Sequence, residues 1–156
     1  YVGRCLVILP DFARPSRRFP RLVGIVPGRC RRGDRPNIMA VIDTSGSITA
    51  DLLEDINAEL ARLSGDYTVT VVECDVAIHR VYPYRRIRQV HGRGGTDFNP
   101  PFEPAFLRRH KPDLIVYFTD GFGPAPETPP RIPTIWCLTP EGETPCEWGR
   151  VIRMEA

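Results

Sequence analysis

Lysine is nearly missing from this chain: Lys111 stands alone among 21 basic residues, and the rest are arginine. No apolar run approaches the roughly 20 residues that cross a bilayer, and neither an initiator Met nor a charged-then-apolar leader opens the sequence. It is therefore expected to be part of a longer protein. His79, His91 and His110 are scattered, without the H-E-x-x-H of a zinc peptidase. Cys5, Cys30, Cys74, Cys137 and Cys146 include no C-x-x-C, which leaves neither a zinc framework nor a disulfide scaffold. Buried reduced thiols are expected at Cys74 and Cys137, inside apolar runs, and a cytoplasmic setting with them. The chain also lacks G-x-x-x-x-G-K-[ST] and G-x-S-x-G, and no nearby His can serve Ser45 as a base.

What is present suits one globular core: 156 residues, 42% hydrophobic and 26% charged, with a near-neutral formal charge of +2. Residues 1–36 are rich in Pro, Arg and Gly and read as an N-terminal extension lying on or beside the core. Two short apolar runs in it, "CLVILP" and "RLVGIVP", are candidate strands or arms. Its basic stretches, 14–21 and 29–35, come without an aromatic stacking platform, so a nucleic-acid partner is not expected.

From Asn37 the pattern becomes regular. "NIMAVID" is a continuous apolar run of the kind a strand shows when both faces are buried. Ile48, Leu52, Leu53, Ile56, Leu60 and Leu63 then recur at three-to-four spacing, which predicts an amphipathic helix with Thr49 as N-cap and Ser64-Gly65 as stop. Residues 67–75 predict a strand and 78–84 its antiparallel partner. A short helix is expected near Pro100-Pro101, buried strands at 113–119 and 132–139, and an edge strand at 149–154. The connections "GPAPETPPR" and "PEGETPCEW" hold too much proline for helices. Together these give an α/β fold: a doubly wound, mostly parallel sheet with an antiparallel edge hairpin, its later crossovers reduced to loops.

In such sheets ligands bind beyond the C-terminal strand ends, at the point where the winding reverses. Three polar clusters fall there: "DTSGS" after the first strand, "GGT" before the second helix, and "TDG" after the strand at 113–119. Carboxylates and hydroxyls without thiolates or imidazoles make a hard oxygen site, suited to Mg²⁺ or Mn²⁺. Gly46 permits a tight turn between Ser45 and Ser47.

Asp43-x-Ser45-x-Ser47, with Thr96 in a Gly-Gly-Thr loop and Asp120 in a Thr-Asp-Gly turn, resembles the metal-ion-dependent adhesion site of von Willebrand factor type A (VWA) domains. The resemblance covers about residues 37 to 140. More narrowly, "RPSRRF", "VPG" and "AVIDTSGSI" are similar to the bacterial VWA-like domain carried C-terminal to metallopeptidase-like domains, often linked with MoxR-type AAA+ ATPases. It implies that Ser45, Ser47 and Thr96 give hydroxyl ligands and that Asp43 and Asp120 act directly or through water. One position would remain open for a partner's Asp or Glu carboxylate. The implied function is noncatalytic, metal-dependent protein binding.

Two other readings stay open. A Mg²⁺-dependent phosphohydrolase would release phosphate and lose that activity in Asp43→Ala, although no second acid follows Asp43 by two residues. A structural domain could have its rim covered by residues 1–36. Asp75 reads as a hairpin-turn residue, and His91 and Arg93 as candidate contacts on the rim.

Overall fold

Strand β1 (Asn37–Asp43) is buried from Ile38 through Asp43, as its apolar run requires of a strand covered on both faces. The computed structural model describes residues 35–46, 48–90 and 94–154. The chain divides into two units, Tyr1–Arg35 and Pro36–Ala156, and the fold described is that of the second. The two apolar arms and, Arg35 excepted, the basic stretches expected before residue 36 lie outside the described residues.

Helix α1 (Ala50–Ser64) follows β1 and starts where its cap predicts: Thr49 Oγ1 accepts the Leu52 N–H at 3.3 Å, with Asp51 in the first turn. Ile56, Leu60 and Leu63 are buried along one side, together with Asn57. The helix ends at Gly65, but not through a left-handed turn. Gly65 keeps right-handed angles (φ −64°, ψ −41°) and donates to Arg62 O.

Strand β2 (Thr68–Cys74) runs parallel to β1, and β3 (Ile78–Pro83) returns antiparallel to β2 with a register shift at Glu73/Cys74. The helix expected near Pro100 is split. A 3₁₀ turn covers Pro100–Phe102, Glu103 is extended (φ −56°, ψ 132°), and α2 spans Pro104–His110. Pro104 explains the break, because its ring disfavours helical angles at the preceding residue. Strands β4 (Leu114–Thr119), β5 (Thr134–Leu138) and β6 (Arg150–Arg153) complete the sheet, all parallel to β1. Among the described residues the order is β3-β2-β1-β4-β5-β6, so the winding reverses between β1 and β4. The loops joining β4 to β5 and β5 to β6 contain no helix, in line with their proline content.

Side-chain alternation divides the core. Met39, Val41, Val72, Cys74, Ile115, Tyr117, Trp136 and Leu138 share one cluster with Phe98 and Phe102, against which Phe106 and Leu107 of α2 pack. Alternate residues, among them Ala40, Ile42, Val71, Val116 and Phe118, are equally buried on the opposite face. Aromatic rings fill the first cluster: Tyr117 stacks on Trp136 at 5.1 Å and meets the edge of Phe98 at 5.2 Å. Two tryptophans fasten the late loops, since Trp136 Nε1 donates to Trp148 O (3.1 Å) and Trp148 Nε1 to Pro126 O (2.7 Å). Cys74 and Cys137 are buried, as expected, and burial pushes the Cys74 thiol up to about 12. Among the described residues no helix is long and apolar enough to cross a membrane.

Candidate metal centre

Asp43 ends β1 with none of its surface exposed, and each carboxylate oxygen has a donor. Oδ1 accepts the Ser45 N–H at 3.0 Å, which folds the first loop back over the strand end. Oδ2 accepts the Thr119 hydroxyl at 2.6 Å, and Thr119 Oγ1 in turn accepts the Gly121 N–H at 3.0 Å. The ends of β1 and β4 are thus joined by a short polar chain. Gly46 makes the first-loop turn at φ +107°, a conformation that L side chains rarely adopt.

Burial drives the Asp43 carboxyl above its ordinary value; the Thr119 and Ser45 hydrogen bonds pull it part of the way back, and the charge of Asp120 adds to the rise. Among the described residues no cationic side chain pairs with Asp43. Beside it, Thr44 Oγ1 is buried without a hydrogen-bond partner. This is a carboxyl position shielded from water and, among the described residues, lacking a counter-charge.

Asp120 is half-buried in the turn after β4, where Oδ1 accepts the Phe122 N–H (3.1 Å) and its carbonyl accepts the Glu143 N–H (2.8 Å). The third loop is tied to this one. Phe98 N–H donates to Pro124 O at 3.0 Å, and a Cβ added to Gly123 would stand 2.8 Å from Thr96 Cγ2. Only a glycine at 123 lets the Thr96 loop settle so close to the Asp120 loop.

Asp75 closes the remaining gap. As expected, it is a turn residue: Oδ1 accepts the Val76 and Ala77 N–H groups (2.5 and 3.2 Å), and His79 Nε2 lies 2.7 Å away. It also reaches the third loop, where Oδ2 accepts the Gly94 N–H (3.3 Å) and its carbonyl accepts the Asp97 N–H (2.9 Å). Burial alone would push the Asp75 carboxyl up. The bonds from His79, Ala77, Gly94 and Val76 outweigh that and hold it at about 2.

Four of the five expected ligands therefore lie at the C-terminal rim, Asp43 at the end of β1 and Ser45, Thr96 and Asp120 on loops stitched together there. Ser47 lies outside the described residues, as do His91 and Arg93. Among the described residues no three His, Cys, Asp or Glu side chains group as a metal site. A cation here would draw on two carboxylates at most, with hydroxyls and water for the rest, which is the donor set of a hard ion and not of zinc. Two contributors escaped the sequence reading. Thr119 looks like any β-branched strand residue, and the hold of Asp75 on Gly94 spans 19 positions with no local signature.

Against known proteins, residues 38–155 match the family described as VWA-like domain (DUF2201). An uncharacterized protein of Thermotoga maritima is 31% identical over 125 residues, which make up 76% of this chain and 30% of the relative. The chain thus spans about a third of that relative's length. No solved structure matches it. The family match covers most of the chain and takes in all six strands except Asn37, and the chain belongs to the VWA-like domain family.

Proposed function

We propose that this domain is a noncatalytic protein-binding module that holds Mg²⁺ or Mn²⁺ through Asp43, Ser45, Ser47, Thr96 and Asp120. A carboxylate from the partner completes the coordination. The observation that carries the reading is the buried Asp43 carboxylate, beside a second acid and without a cationic partner among the described residues. When bound, the ion supplies an electrophilic centre that attracts an acidic side chain. The protein's own part is to hold the loops. Thr119 and the Ser45 N–H orient Asp43, Gly123 gives Thr96 its place, and Asp75 fixes the start of the third loop. Free thiols at Cys74 and Cys146 suit a cytoplasmic setting. As the partner we propose an AAA+ ATPase of the MoxR type, with the domain working inside a larger bacterial protein beside a metallopeptidase-like region.

Asp43→Asn tests the metal. Asparagine retains an oxygen for the Ser45 N–H and offers an amide to Thr119, while the uncompensated charge is removed. The metal-free variant is expected to melt at or a few degrees above the native chain, by about 3 °C for 1 kcal/mol. Free Mg²⁺ at about a hundredfold its dissociation constant should stabilise the native chain by about 2.7 kcal/mol and leave the variant unmoved. Equal stabilisation of both in a thermal melt would count against the site.

A further inference from the structure

A second polar feature lies away from the metal rim, on the sheet edge formed by β2 and β3. Beyond β3 the chain runs without regular structure through Tyr84 to Val90, yet it is firmly held. Asn57 of α1, 4% exposed, pairs its side-chain amide with the Ile87 backbone in both directions: Nδ2 donates to Ile87 O and Oδ1 accepts from Ile87 N, each at 2.8 Å. Tyr84 OH donates to Asn57 O at 2.9 Å, and the Ile87 side chain is 3% exposed. A buried asparagine spent on fixing an irregular segment sets the direction of its neighbours. With Ile87 inside, Arg86 and Arg88 stand outside.

Between this segment and β3 lies a groove of about 440 Å³ lined by Arg80, Arg85, Arg86, Arg88, Tyr82 and Glu73, with Ile87 and Gln89 completing it. Its size falls within the range of ligand clefts, about 300–1,000 Å³, but its walls are cationic where small-molecule clefts are mostly apolar. Glu73 is buried and accepts the Tyr82 hydroxyl at 2.6 Å, so its carboxylate is already hydrogen-bonded at the floor. Arg85 covers the Tyr82 ring at 5.2 Å, and Arg86 pairs with exposed Glu54. Arg80 and Arg88 form no ion pair with an acid among the described residues. Guanidinium groups in a rigid frame suit bidentate carboxylates.

We propose that this groove binds an acidic peptide segment of a partner protein, independently of any metal. Charge complementarity names the occupant, and two features disfavour a nucleic acid. The one aromatic ring among the residues lining the groove has Arg85 over one face, which makes it a poor platform for successive base stacking. The exposed flank of α1 is also acidic, with Asp51, Glu54 and Asp55, and would repel a long polyanion laid across it.

The test is fluorescence anisotropy on the full chain in EDTA, with a labelled decapeptide alternating Glu and Ser and, in parallel, a labelled single-stranded oligonucleotide of equal charge. Saturable, salt-sensitive peptide binding is expected, weakened about tenfold or more in Arg85→Gln/Arg88→Gln, the loss of roughly one charge-assisted hydrogen bond. Arg108→Gln/Arg109→Gln, exposed arginines on α2, should bind like the native chain. All four side chains are at the surface, and circular dichroism checks that each variant is folded. No saturable peptide binding, equal losses in both double variants, or an oligonucleotide bound as tightly through Arg85 and Arg88 would each overturn the proposal.

Discussion

Replacing Gly121 by alanine is expected to cost more than about 4 kcal/mol, the range reserved for backbone conflicts and core disruption. Two penalties coincide there. Gly121 has φ +84°, where an L residue loses about 1–2 kcal/mol. A Cβ would also sit 1.7 Å from Glu143 O, a backbone atom that cannot swing aside as a side chain would. Relief requires moving the Gly142-Glu143 turn, whose Glu143 N–H holds Asp120 O, so the candidate ligand shifts with it. Gly46→Ala is the matched control. Its φ is +107° with nothing within 4 Å of the added carbon, so only the conformational penalty of about 1–2 kcal/mol applies. Urea unfolding followed by circular dichroism measures both, and equal costs would mean that the Glu143 contact is not rigid.

Asp75→Ala should destabilise the domain by about 3 kcal/mol, because a buried carboxylate with four donors is removed and those donors lose their acceptor. The pH dependence follows from its depressed carboxyl. A group held at about 2 against an unfolded value near 3.8 contributes stability that is fully present above the unfolded value. That contribution, about 2 kcal/mol, is lost as pH falls from about 4 toward 2. The gap between the native chain and Asp75→Asn, which lacks the charge, should therefore be widest near neutrality and close on acidification. Asp43 acts in the opposite sense. Its raised carboxyl favours the folded state when protonated, and that preference fades as pH rises through its folded value. Asp75→Ala is also expected to weaken the Mg²⁺ response, since Thr96 follows Gly94 on the loop Asp75 holds. An unchanged response would show that the third loop holds its place without Asp75.

Much of this was legible in the chain, for identifiable reasons. Continuous apolar runs ending in an acid marked β1 and β4, because strands buried on both faces tolerate nothing polar until they emerge at the rim. The three-to-four spacing from Ile48 to Leu63 marked α1, and prolines marked the late connections as loops. The pattern of Asp43, Ser45, Thr96 and Asp120 was visible because each lies beside a strand end or loop start. What stayed hidden was non-local. Gly65 marked the end of the helix, but not that it ends there with right-handed angles. Arg85, Arg86 and Arg88 form a short basic cluster in the chain, but nothing local joins them to Arg80, five residues before Arg85; the hairpin and the grip of Asn57 bring them together.

The central claim is that Asp43 and Asp120 share one hard cation at the rim. A Mn²⁺ titration of the metal-stripped full chain, followed by electron paramagnetic resonance, measures this directly. One equivalent of Mn²⁺ should lose its free-ion signal in the native chain and keep it in Asp120→Ala. A folded native chain whose added Mn²⁺ stays free from the first addition, or an Asp120→Ala variant that binds as the native chain does, would contradict the account.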